Sequence, residues 1–187
     1  MRQKKHEPAT GDWLLELNEF KEWRDRNSGV LWLHGIPGAG KTVLSSTVVE
    51  HLKTYVKDKE TEARIAYYCF DFNDHAKQTA QGCVQSLVKQ VFEQSYDVSD
   101  ALRSCYNDTP HETPSLVKLV EVLIAMLNDG PKTFLVIDAL DECKEHDNER
   151  ERTAFYEALQ ELKSNTDGKY YTYSSSLVGQ NRIFSGS

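Results

Sequence analysis

The chain reads as α/β with a mainly parallel sheet, and three observations carry that reading. Short apolar runs, "VLWLH" at 30–34, "RIAYYCFDF" at 64–72 and "TFLVID" at 133–138, have the length of strands buried on both faces. Between them, apolar residues recur with helical spacing. Strands that alternate with helices build parallel sheets, because a parallel neighbour is reached only by a long crossover.

Taken in order, Trp13, Leu17, Phe20 and Trp23 fall on one face of a helix over 12–24, which "RNSG" ends. The strand 30–34 follows, and a glycine-rich turn leads into a helix beginning near Lys41, where Leu44, Val48 and Leu52 recur every fourth residue. After the strand at 64–72, Ala80, Val84, Leu87, Val88 and Val91 predict a helix over 77–94, and a short helix is expected near 98–106. "TPSLVKLVEVLIAMLNDGP" is a helix with Thr113 as its cap, Pro114 in its first turn and Gly130-Pro131 at its end. The strand 133–138 precedes an amphipathic helix over 147–163, with Phe155, Leu159 and Leu162 inward. From about 164 the chain is polar and rich in Ser, Tyr and Gly, and no internal repeat is present. The organisation is a lead-in helix at 1–27, a core at 28–163 and a polar tail at 164–187 that holds a candidate fourth strand.

With 187 residues, 39% of them hydrophobic, the chain can bury one domain core. A net charge of −7 argues against a general nucleic-acid binder, which would present a basic face. The basic start "MRQKKHEPATGDW" leads into no apolar signal-peptide core, and no apolar run is long enough to span a bilayer. A soluble, cytoplasmic protein without membrane partners is expected. Cys69, Cys83, Cys105 and Cys143 lack metal-site spacing, and the histidines do not cluster with them, so reduced, mostly buried thiols are expected.

The turn after the first strand is "GIPGAGKT", residues 35–42. It matches G-x-x-x-x-G-K-[ST] with Gly35, Gly40, Lys41 and Thr42 in register. Such a loop, which includes Pro37, wraps tightly, so that backbone N–H groups from Gly35, Ile36, Gly38, Ala39 and Gly40 can turn toward phosphate oxygens. The following helix adds its positive end. Lys41 supplies a point charge for the β- and γ-phosphates, and Thr42 a hydroxyl for Mg²⁺.

The second constellation is "FLVIDALDEC", residues 134–143. Its apolar run delivers Asp138 to the C-terminal end of a strand, the end that faces the ligand crevice of an open parallel sheet. There Asp138 can hold Mg²⁺ opposite Thr42. Asp141 and Glu142 follow, and one of them can orient or deprotonate the water that attacks the γ-phosphate. Lesser candidates are Thr10-Gly11, Trp13 and Trp23 near the base, His34 before the loop, and Asp71 to Asp74 at the end of the second strand. For each, packing or a solvated turn is the competing reading.

Together "LWLHGIPGAGKTVLSSTVVEHL", "YYCFDFND" and "FLVIDALDEC" resemble the NACHT-type NTPase domain of fungal NOD-like receptors, grouped with the nephrocystin-3-like N-terminal domain. The resemblance covers about residues 5–163. Pro37 and the Ala139-Leu140-Asp141-Glu142 run are its specific traits. It implies a P-loop NTPase three-layer αβα sandwich, C-terminally incomplete, in a signal-transduction (STAND) protein. It implies binding of ATP or GTP with Mg²⁺ and slow hydrolysis as a conformational switch. Self-association through this domain is implied for full-length relatives, which carry effector and repeat domains.

The sequence departs from that pattern at "KYYTYSSSLVG". Where the resemblance implies a Ser-Ser-Arg or Thr-Ser-Arg sensor, Ser176 stands in the arginine's position, and Arg182 comes too late. This favours the alternative, a truncated pseudo-NTPase module that holds nucleotide without turnover. Sheet order in the class predicts that "KYYTY", 169–173, inserts between the strands at 30–34 and 133–138.

Overall fold

The computed structural model describes residues 11–25, 29–59, 62–71, 73–108, 112–143, 155, 157 and 170–176. The elements are α1 (Asp12–Glu16), α2 (Asn18–Asp25), β1 (Gly29–His34), α3 (Lys41–Asp58), β2 (Arg64–Cys69), α4 (Ala80–Glu93), α5 (Asp100–Asp108), α6 (Leu116–Asp129), β3 (Thr133–Asp138) and β4 (Tyr170–Ser176).

The four strands form one parallel sheet in the order β1-β4-β3-β2. β4 therefore stands between β1 and β3, the place that sheet order assigned to the strand at 169–173. Its backbone pairs Gly29 with Tyr171 and His34 with Ser176 on one side, and Thr133 with Tyr170 on the other.

β3 is buried along its whole length, and its side chains alternate between two cores. Phe134 and Val136 join Leu14, Phe20, Trp23, Leu44, Val48 and Leu52 of α1, α2 and α3. Leu135 and Ile137 join the apolar stripes of α4 and α6, with Phe70 and Phe155. Helices thus cover both faces, which makes three layers. β1 and β2 differ from the expectation of strands buried on both faces: β1 is half-buried and β2 is mixed. Among the described residues they are the two edges of the sheet.

Three other local expectations are corrected. The lead-in helix breaks at Leu17, whose backbone is extended (φ −62°, ψ 139°). The break re-phases the chain so that Leu14, Phe20 and Trp23 share the core, while Trp13 and Leu17 face out. The cap of α6 is Ser115, not Thr113: its hydroxyl accepts from the Lys118 N–H. Pro114 lies before the helix, and its carbonyl accepts from Gln81 on α4 at 2.8 Å. β2 stops at Cys69, because Phe70 turns its side chain into the core and Asp71 starts a turn. The helix expected over 147–163 falls outside the described residues, except Phe155 and Glu157, which are helical; Phe155 is buried.

Candidate functional site

β1 hands the chain to the loop at His34, which is exposed. The loop then needs left-handed backbone twice, at Gly38 (φ 79°) and Gly40 (φ 80°). A side chain would disfavour that geometry by roughly 1–2 kcal/mol at each position. A Cβ added to either glycine would meet no atom within 4 Å, so space lies open beside this backbone. The Ala39 N–H donates to the Ile36 carbonyl at 3.2 Å and closes the turn. Lys41, the first residue of α3, folds back over the loop. Its ammonium donates to the carbonyl of Gly35 at 2.9 Å and to that of Ile36 at 3.2 Å. One fixed cation thus sits beside exposed glycine backbone at a helix N-terminus.

Asp138 ends β3 and is only 3% exposed. Ser45, one turn after Thr42 on α3, donates its hydroxyl to Asp138 Oδ1 at 2.8 Å. Cys69, paired with Asp138 in the β2–β3 register, lies 3.3 Å from Oδ2 through its thiol. Although Cys69 as a whole residue is exposed, desolvation around its sulfur first, and then the Asp138 carboxylate, pushes the thiol up to about 12, so it stays protonated. Thr42 and Asp138 line the same cavity, of about 180 Å³, between α3 and the β2–β3 pair. The fold thus brings together the two residues expected at the metal.

Asp141 and Glu142 lie in a tight 3-10 turn, Leu140–Glu142, that follows Asp138 directly. Ala139 enters it with a positive φ of 54°, the one non-glycine among the described residues to do so. The buried Leu140 pins the turn, and the Glu142 N–H donates to the Ala139 carbonyl at 2.8 Å. Neither acid lines the cavity. Asp141 Oδ1 is buried and accepts no hydrogen bond from the described residues.

Among the described residues, no group of three or more His, Cys, Asp or Glu side chains could hold a metal by itself. Mg²⁺ suits this arrangement, since it is commonly held by one or two protein groups together with phosphate oxygens and water. The open glycine backbone and the fixed ammonium, with Thr42 and Asp138 lining one cavity, fit a magnesium–nucleotide.

The lesser candidates separate. Trp23 is a core residue, packed 5.7 Å from Phe134 between ring centroids, with its indole N–H donated to the Gly29 carbonyl. Trp13 is 56% exposed. Asp71 uses its carboxylate to accept from the Asn73 N–H, in a local turn. Thr10 and Phe72 lie outside the described residues. All four cysteines are free thiols, two of them buried. Ser45 and Cys69 were missed in the sequence. Their only signal was position: Ser45 one turn past Thr42, and Cys69 at a strand end beside Asp138.

A parallel sheet with β4 between the loop strand and the acidic strand, and helices on both faces, defines a P-loop NTPase fold of three-layer αβα type. The chain belongs to the family described as nephrocystin 3, N-terminal, whose pattern matches residues 9–176. This bears out the resemblance read from the sequence. The vegetative incompatibility protein HET-E-1 of Podospora anserina is 29% identical over 139 residues, 70% of this chain and 10% of that protein. The chain therefore spans about a tenth of that relative's length. Among solved structures, the Aeropyrum pernix ORC1 protein in complex with DNA superposes with a TM-score of 0.59 at 14% identity, over 84% of this chain and 35% of that one. A Walker-type ATPase of Pyrococcus abyssi gives 0.52 at 10% identity, over 94% and 46%. These two likenesses show the fold alone. No helix among the described residues is long and apolar enough to cross a membrane.

Proposed function

We propose that this chain binds ATP or GTP with Mg²⁺ and hydrolyses it slowly, as the conformational switch of a NOD-like-receptor or STAND type signalling protein. One observation carries the reading: Lys41 is fixed over exposed glycine backbone, while Thr42, the next residue, and Asp138 line one cavity. In this reading Gly35–Thr42 hold the phosphates, and Thr42 with Asp138 holds the metal. Bound Mg²⁺ would neutralise phosphate charge. Glu142 takes the proton of the attacking water and Asp141 orients it. The core spans 28–163, with 1–27 as lead-in and the strand in 164–187 completing the sheet between β1 and β3. HET-E-1, as its name states, acts in vegetative incompatibility, and membership beside it supports a signalling use. The net charge of −7 gives no support to a nucleic-acid partner.

A second reading has its own support. β4 ends in Ser174-Ser175-Ser176, where the resemblance read from the sequence implies an arginine. A site without that cation holds nucleotide and turns it over poorly or not at all.

Phosphate release measured against a Lys41→Ala control tests the choice. The switch reading expects release above the control, and a loss of roughly 100-fold or more in Glu142→Gln with binding retained. If Asp141→Asn abolishes release while Glu142→Gln does not, the two roles are exchanged. Release equal to the control supports the module without turnover.

A further inference from the structure

The Asp138 carboxylate is gripped from two different elements. Ser45 Oγ donates to Oδ1 at 2.8 Å from α3. The Cys69 thiol at the end of β2 lies 3.3 Å from Oδ2, its one hydrogen shared between that oxygen and the Phe70 carbonyl, also 3.3 Å away. Ser45 and Cys69 are 93 and 69 positions from Asp138 in sequence, so the contacts exist only in the folded sheet. Ser45 is buried at 4% exposure and Asp138 at 3%. A buried carboxylate with a donor beside each oxygen has its plane constrained. Thr42 and Ser45 are three residues apart on α3, hence on one face. The same turn of helix therefore carries Thr42 and the hydroxyl that donates to the carboxylate. All four residues line the cavity between α3 and the β2–β3 pair.

Resting on the nucleotide-binding reading above, we propose that Ser45 and Cys69 are positioning residues that hold Asp138 in the orientation needed to engage the magnesium of a bound nucleotide. They touch neither nucleotide nor metal; they set where the carboxylate points. Their effect therefore belongs to the metal-dependent part of nucleotide affinity. Lys41 acts on the phosphates directly and affects affinity with or without metal.

The test is calorimetric titration of the full chain with a non-hydrolysable ATP analogue, once with Mg²⁺ and once with EDTA. Ser45→Ala is expected to weaken binding roughly tenfold with Mg²⁺, as loss of a hydrogen bond to a charged group does, and to leave binding in EDTA unchanged. Cys69→Ala should show the same pattern, about threefold, since a thiol is a weak donor. Cys69→Ser, which keeps a donor, should restore the Mg²⁺ value. A purely structural role would lower both titrations together and would not be rescued. Should Ser45→Ala fail to fold, as a melting curve would reveal, the Cys69→Ala and Cys69→Ser pair decides. Variants that keep the parent's ratio of Mg²⁺ to EDTA affinity, while Lys41→Ala loses binding, overturn the positioning role alone. A parent with no Lys41-dependent binding at all overturns the nucleotide reading and this role with it.

Discussion

Gln90 on α4 makes both backbone hydrogen bonds of Tyr67 on β2. Its amide oxygen accepts from the Tyr67 N–H at 3.0 Å, and its nitrogen donates to the Tyr67 carbonyl at 2.8 Å. One turn on, Gln94 does the same for Ile65, at 3.0 and 2.9 Å. Two side chains at i and i+4 thus stand in for a missing strand along the outer edge of β2. An unprotected edge would be a template for pairing with another chain.

The double variant Gln90→Ala/Gln94→Ala should therefore aggregate. It uncovers two N–H and two carbonyl groups, which water can partly satisfy, so the stability loss should be modest, about 1–3 kcal/mol. Light scattering during gentle heating measures the effect: the variant should scatter several degrees below the parent. Equal onset temperatures would mean that the glutamines do not guard the edge.

β4 has the opposite importance, because it is central. It pairs with β1 through Gly29–His34 and with β3 through Thr133–Ile137. A chain ending at Gly168 would leave both neighbours with unpaired buried backbone groups, each costing about 1–3 kcal/mol. Several such losses rival the roughly 5–15 kcal/mol of a whole domain. Thermal melting followed by circular dichroism should show no cooperative transition for the shortened chain. In the parent, hydrogen exchange should be slow in both 133–138 and 170–176. A shortened chain that melts cooperatively like the parent would contradict the central placement.

His51 predicts a pH dependence. It lies between the rings of Phe20 and Tyr55, and the Arg24 guanidinium stands 3.2 Å from its Nε2. Arg24 can only donate, so Nε2 accepts and carries no proton. Burial first, and the Arg24 charge second, hold His51 below its ordinary value, against weaker opposition from Asp25 and Glu16. The unfolded chain therefore takes up a proton near pH 6.5 that the folded chain refuses. Stability is complete above that pH and falls as pH drops toward the folded value. The melting temperature should decline between pH 7.5 and 5.5, and His51→Gln, which can still accept from Arg24, should flatten the decline. A variant with the parent's slope would clear His51 of this role.

The sequence carried most of the candidate site because its parts are local. Gly35 to Thr42 form one loop, and Asp138 follows four apolar residues of one strand, so spacing alone placed them. β3 and the long apolar helix α6 were legible for the same reason. The contacts hidden in the sequence are tertiary. Nothing near Gln90 says that its amide will meet Tyr67, and nothing near Ser45 says that it will reach Asp138. The break at Leu17 was missed because helical spacing of Trp13, Leu17, Phe20 and Trp23 is satisfied equally by one helix or by two that are re-phased. Ser115 won the cap from Thr113 because its hydroxyl stands three residues before the Lys118 N–H, a choice that fixes the start of α6 two residues later. β1 reads apolar enough for burial on both faces, yet only its β4 side is paired among the described residues.

The measurement that tests the central claim most directly is calorimetric titration of ATP and of GTP, with Mg²⁺, into the parent chain and into Lys41→Ala. The Lys41 ammonium, already poised over the loop by the Gly35 and Ile36 carbonyls, would give charge-assisted bonds worth about 1.5–3 kcal/mol each to phosphate. The parent should bind at least one of the two nucleotides, and Lys41→Ala should bind it at least about tenfold more weakly while melting at a similar temperature. Equal affinity in the two proteins, or no binding by a folded parent, would contradict the assignment of Gly35–Thr42 as a phosphate-binding loop.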